Sequence, residues 1–262
     1  MCYDIKTSKK AQLERVRRAQ DLLALEEIED RLLPLTDLPL HHASGFNHPE
    51  VLIYTDRSPN FPEVATWGLV PHWVKDTTQK KQLWNKTLNA RGETIFEKPS
   101  FRDSAKHKRC LFYVDGFYEH HHYNGQVYPF YIHKKDNTAM AMAGLWNTWE
   151  DPETGGHLNT FSIVTTKGNA LLSKIHNNPK LEGPRMPLIL PEDIADQWIT
   201  NVDDHLDEQT ITSLIQPYPD EEFSAHTVQK LRGKAYLGNT PSTSEPVIYN
   251  ELNFLTSNTN QL

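Results

Sequence analysis

The chain has 262 residues, of which 37% are hydrophobic and 23% charged, a balance that excludes a disordered chain and allows a sizeable core. Two cysteines, Cys2 and Cys110, are too few for a disulfide framework, and the absence of a leader or long apolar run points to a reducing cytosol. The net charge of -7 is unevenly spread: 12 acidic and 3 basic residues lie from Glu192 onward, against 22 acidic and 24 basic before it, so a weakly basic body remains compatible with phosphates.

The chain opens Met1-Cys2. Removal of Met1, expected before a small residue, leaves a cysteine whose amine and thiol sit on adjacent carbons. An α-amino group has a pKa of about 8 against about 10.4 for lysine, so far more of it is neutral and nucleophilic near pH 7. Such an amine condenses with an aldehyde to a Schiff base, and the adjacent thiol then closes a five-membered thiazolidine ring. The plainer reading of Cys2 is a small buried hydrophobe.

Leu13, Val16 and Leu23 at helical spacing predict a helix over residues 8–33, with Lys9, Lys10, Arg15, Arg17 and Arg18 on a solvated face and Pro34 ending it. Residues 41–48 read as a loop, and 51–55 and 61–69 as strands. Trp67 and Trp73 bracket the next turn, either as core residues or as platforms on which bases stack. Residues 76–86, rich in lysine, read as an exposed loop, and 88–94 as the entry to a short helix. There Asn89 and Arg91 either aim an amide and a cation at one site or cap and solvate the helix start. A helix at 101–106 precedes an apolar strand at 109–114, in which Cys110 is an inert core residue.

Strands at 116–122, 127–133, 138–149 and 159–165, divided by Asn124-Gly125, Asp136-Asn137 and the Asp151 to Gly156 turn, imply an antiparallel, curved or barrel-like sheet. Helices are predicted at 169–175, 191–199 and 203–215, strands at 186–190 and 223–231, and an extended arm at 247–252 that packs back. The expected fold is α+β: a single domain on a curved, mainly antiparallel β-barrel-like sheet with peripheral helices. It occupies residues 1–235, and an extension, 236–262, is partly packed on it and frayed at its end.

Glu119, among aromatic residues on an apolar strand, is a candidate for a raised pKa and for general acid or base work, or else an exposed strand-end carboxylate. His120 and His122 share a strand face, but no second cluster of ligands at metal spacing accompanies them, so neither metal nor cofactor is expected. His176 ends a predicted helix, where a histidine favours the dipole or serves as a catalyst.

Together these segments resemble the SOS-response-associated peptidase (SRAP) family, whose members bind abasic sites in single-stranded DNA. The resemblance is carried by Met1-Cys2, Trp67-Gly68 with Pro71 and Trp73, Asn89-Ala90-Arg91 with Glu93-Thr94, Gly116-Phe117-Tyr118-Glu119, Ile163-Val164-Thr165, and Ile175-His176 with Arg185-Met186-Pro187. It implies that Cys2 captures the ring-opened sugar aldehyde as a thiazolidine, that Asn89 holds Cys2, that Glu119 is acid and base, and that His176 assists ring opening. It further implies that Arg91 and Arg185 hold phosphates, with Thr165 beside the same pocket. Many members continue Met-Cys with Gly-Arg where this chain has Tyr3-Asp4, and have one or two residues where 177–184 lie here. The partner implied is single-stranded DNA containing abasic sites, bound by a monomer without a membrane, in the cytoplasm and at the nucleoid on damaged DNA. The competing readings are an N-terminal-nucleophile peptidase or amidase, including self-cleavage before Cys2, and a non-catalytic single-strand binding module using Trp67 and Trp73.

Overall fold

A computed structural model describes residues 2–202 and 205–256. Met1, the first residues of the 203–215 helix and the end of the extension, expected to fray, lie outside the described residues. The strands in chain order are β1 (Asp4–Thr7), β2 (Leu40–Ser44), β3 (Glu50–Thr55), β4 (Glu63–Trp67), β5 (Asn89–Arg91), β6 (Arg109–Val114), β7 (Gly116–Tyr123), β8 (Gln126–Lys134), β9 (Met140–Glu150), β10 (His157–Lys167), β11 (Arg185–Pro187), β12 (Ile189–Leu190) and β13 (Phe223–Thr227).

Five of them close a barrel. β3 pairs with β4 and β6, β6 with β9, β9 with β10, and β10 returns to β4, the only parallel contact in the ring. β5 and β11 extend β10, and β12 extends β9. A second, wholly antiparallel sheet has the order β13-β8-β7-β1-β2. The fold is therefore the expected α+β architecture on a barrel.

Hydrophobic pattern explains the closure. Every residue of β6 is buried: Phe112 on one face packs against Phe161 of β10 with ring centroids 5.2 Å apart, while Arg109 and Tyr113 on the other face meet Trp198 and Glu192 of the covering chain. Gln12, on the helix Lys9–Gln12, stitches that cover in place: its Nε2 donates to the Tyr113 carbonyl at 2.6 Å, its Oε1 accepts from the Leu52 amide at 2.6 Å, and its carbonyl accepts from the Tyr54 hydroxyl at 2.8 Å. Cys110 is buried in this strand, as expected, against Gly144 of β9, where an added Cβ would lie 2.8 Å from its Sγ.

Four expectations are corrected. The 8–33 helix is broken into Lys9–Gln12, Glu14–Arg18 and Leu22–Glu27, followed by a wider turn at Ile28–Leu32. Residues 76–86 contain a helix, Thr77–Trp84, whose start is capped by Asp76 accepting from the Gln79 amide at 2.7 Å. The supposed loop at 41–48 contains β2, and residues 89–91 form a strand because β10 offers them a parallel partner. The arm at 247–252 does pack back, with the Val247 amide donating to the Thr227 carbonyl at 2.8 Å and Leu252 buried. No helix among the described residues is long and apolar enough to cross a membrane.

Candidate active site

β1 lies between β7 and β2, so Cys2, two residues before it, is delivered to the meeting of the second sheet with the barrel. Cys2 is fully buried, and its carbonyl accepts a hydrogen bond from Asn89 Nδ2 at 2.8 Å. Asn89 opens β5, which the parallel pairing with Ile163–Thr165 of β10 holds rigidly. Its other side-chain atom, Oδ1, is buried and accepts no hydrogen bond among the described residues.

Glu119 sits in the middle of β7, not at its end, paired with Phe130 of β8 and only 3% exposed. Burial pushes its carboxyl up to about 7. Burial also raises the Cys2 thiol well above its ordinary value, and the Glu119 carboxylate adds to that rise, so the sulfur rests as a thiol.

His176 is the residue after the helix Ala170–Ile175, which starts on an Asn169 cap. Two contacts clamp this helix end onto β7: His121 Nδ1 lies 3.0 Å from the Lys174 carbonyl, and the Asn177 amide exchanges hydrogen bonds of 2.7 and 2.9 Å with the backbone of His122. His176 Nδ1 is thereby brought to 3.9 Å from Glu119 Oε2, and it also contacts the backbone of Arg185. Burial lowers the imidazole to about 4, so it is neutral at pH 7.

The histidine run is thus divided in its tasks. His121 ties down a helix, and His120 faces the cleft with its pKa pushed by burial to about 4. No metal-binding cluster is formed among the described residues.

The cleft over Glu119 and His176 has a volume of about 330 Å³ and is also lined by Tyr3, Asn178, Leu181 and Arg232. It continues past Leu181 into a hollow of about 360 Å³ containing Arg91, Lys167 and Arg185. On its other side His120, Val127 and Arg232 are shared with a third hollow of about 390 Å³.

Arg91 is half exposed and pairs with Glu182 at 2.9 Å. Arg185, by contrast, is mostly buried and committed: it makes two hydrogen bonds of 2.8 Å to Glu93 and others to the Thr165 carbonyl and hydroxyl. Burial by itself would raise the Glu93 carboxyl, but these bonds hold it below its ordinary value. Thr165 is fully buried, so it reaches the cleft only through Arg185.

The tryptophans do not join the site as stacking platforms. Trp67 is 0% exposed, with its indole donating to the Leu88 carbonyl at 2.8 Å, and Gly45 packs on its face. A ring sealed inside the core offers no face to a base. Trp73 is half-buried against Val70, Val74 and Trp149 and lines none of the three hollows.

Sequence reasoning missed Tyr3, Lys167 and Arg232. Lys167 ends β10 two residues beyond Thr165, so strand spacing alone put it on the same side. Nothing local marks Arg232, which arrives from the far end of the chain.

The profile of the SOS response associated peptidase (SRAP) family matches residues 32–235. The chain belongs to this family. Among the relatives of this SRAP protein, the abasic site processing protein YoqW of Bacillus subtilis (strain 168) is 35% identical over 195 residues, covering 74% of this chain and 78% of its own length. The abasic site processing protein HMCES of Pongo abelii is 31% identical over 209 residues, covering 69% of this chain and 55% of the longer relative. A crystal structure of a Bacteroides thetaiotaomicron protein matches this SRAP fold with a TM-score of 0.78 at 30% identity, over 94% of this chain and 100% of that one.

Proposed function

We propose that residues 1–235 of this chain bind single-stranded DNA and that Cys2, freed of Met1, forms a thiazolidine crosslink with the ring-opened aldehyde of an abasic site, shielding the lesion. Family membership and the names of YoqW and HMCES support abasic-site processing as the task. The observation that carries the chemistry is the grouping of Cys2, held by Asn89, with a carboxyl of pKa about 7 and a neutral imidazole 3.9 Å from it.

Those groups match the steps. The neutral imidazole of His176 takes the proton of the sugar's anomeric hydroxyl as the C1′–O4′ bond breaks and returns it to the ring oxygen, which becomes the C4′ hydroxyl of the open aldehyde. The Cys2 amine adds to the aldehyde carbon, giving a carbinolamine. Protonated Glu119 then donates to the departing hydroxyl, which leaves as water, and takes back the proton of the nitrogen, so that a neutral imine remains. The thiol adds across the C=N bond, its hydrogen ending on nitrogen, and Glu119 carries that proton because the thiol is too weak an acid to ionise alone. Asn89 Oδ1 is free to accept an N–H of the amine and orient its lone pair. The net change is loss of one water, with no redox step.

Arg91 and Lys167 bind phosphates flanking the sugar, while Arg185, neutralised by Glu93, shapes the wall. A monomer suffices, because the four reacting groups come from one chain. The test is incubation with an oligonucleotide carrying one abasic site. A covalent adduct that forms without borohydride and vanishes in Cys2→Ala supports the reading, and an undiminished adduct in Cys2→Ala contradicts it.

A further inference from the structure

Arg232 lines both the cleft over Glu119 and the hollow beyond it, on the side away from Arg91 and Lys167. Its anchor is unusual. Asp4 is only 1% exposed, yet it is charged: burial would raise its pKa, but the hydrogen bond to His42 and the charge of Arg232 outweigh that and lower it. Arg232 Nη2 touches both carboxylate oxygens of Asp4, at 3.0 and 3.2 Å, and His42 binds Asp4 Oδ1 at 3.0 Å while its other nitrogen meets the Tyr236 hydroxyl at 2.6 Å.

A buried, triply held carboxylate therefore fixes one end of the guanidinium. The remaining donors stay in water, since the Arg232 side chain is 59% exposed and only Nη2 is bonded among the described residues. A planar fork held in this way suits a phosphodiester, which accepts paired N–H donors. Lys230, the other cation of this hollow, lies 4.3 Å from the Tyr128 ring and donates to the Val127 carbonyl, so its charge is already engaged. Asp4 opens β1 two residues after Cys2, so the position of Arg232 is tied to that of the nucleophile.

We propose that Arg232, positioned by Asp4, is a phosphodiester-binding residue for the strand on the side of the lesion opposite Arg91, making the three hollows one continuous trough. This rests on the DNA-binding reading above. It converts a one-sided phosphate seat into a clamp that spans the sugar.

The test uses full-length protein carrying Cys2→Ala, so that binding is non-covalent, with an undamaged single-stranded oligonucleotide and a salt titration. Arg232→Ala is expected to weaken binding roughly tenfold at low salt. It should also reduce the slope of log K against log salt by about 0.7, the contribution of one phosphate on a single strand. Arg232→Lys should retain the slope, because the charge is kept, and Arg232→Gln serves if the alanine variant does not fold. Lys135→Ala removes an exposed charge at the opposite end of β8 and should leave the slope unchanged. A slope indifferent to Arg232, or an equal fall in Lys135→Ala, overturns the proposal. Crosslinking by the native protein alongside an indifferent slope would remove this site alone, whereas Arg232-dependent binding with no crosslink would remove only the chemistry.

Discussion

At the residue scale, the account turns on one buried carboxyl whose protonation straddles neutrality. In the proposed reaction protonated Glu119 is the acid for loss of water, whereas the amine must be neutral to attack, so the crosslinking rate of the native protein should be bell-shaped in pH. The descending limb belongs to Glu119, with a pKa of about 7, and should disappear in Glu119→Gln, with an overall slowing of about 10²-fold or more; single-turnover rates from pH 5 to 9 measure both. The same group makes a stability prediction. Its folded pKa lies above its ordinary value of 4.5, so the folded state holds the proton more tightly and loses that advantage as pH rises through about 7. Glu119→Gln should therefore gain stability relative to the native protein by about 3 kcal/mol between pH 4 and pH 8, read by denaturant unfolding at each pH. His176 acts with the opposite sign. Its folded pKa of about 4 lies below 6.5, so the stability from keeping it neutral is present above 6.5 and lost as pH falls through 4. Cys2→Ser should keep the amine and give a Schiff base that borohydride traps, without a stable ring.

At the element scale, β7 and β1 place the chemistry, and their close packing makes them sensitive. Gly116 starts β7, and a Cβ there would lie 2.4 Å from the Tyr131 ring and 2.6 Å from the Ile132 carbonyl, part of the neighbouring strand. Gly116→Ala should cost about 1–3 kcal/mol in unfolding experiments. It should also slow crosslinking by displacing Glu119. The hairpins of this region were legible in the sequence because their turns carry their own chemistry: Asn124 and Gly125 both adopt positive φ, as does Asn137 at the next turn. β1 was not legible. Asp4-Ile5-Lys6-Thr7 is short and polar, and it becomes a strand only because β2 and β7 supply hydrogen bonds on both edges. β5 was misread for the same reason, its strand character being conferred by β10. The Thr77–Trp84 helix was readable from the Asp76 cap, but its lysines and weak apolar pattern hid it. Cys2, Asn89, Glu119 and His176 were singled out one at a time from residue chemistry, yet what joined them was resemblance, since no spacing rule links residues 87 apart. Trp67 shows the converse error: an aromatic ring beside a functional motif can simply be core.

At the scale of the whole molecule, the proposed trough joins three hollows that share lining residues, from Arg91 and Lys167, over Glu119 and His176, to Arg232. Residues 177–184 lie across its middle. Asn177 clasps β7, Leu181 lines two hollows, and Glu182 pairs with Arg91. The pair is solvent-exposed, so a phosphate can replace Glu182 at small cost. Arg91→Ala should therefore weaken single-strand binding and reduce its salt slope by about 0.7 while leaving the pH profile of crosslinking unchanged. Equal slowing by Arg91→Ala and Glu119→Gln at saturating DNA would show that binding and proton transfer are not separable in the way described. The most direct measurement of the central claim is the intact mass of the protein before and after exposure to an oligonucleotide with a single abasic site. The account predicts a starting species lacking Met1 and a product equal to that species plus the oligonucleotide minus one water, formed without reductant. A product that retains Met1, or one formed equally by Cys2→Ala, would contradict it.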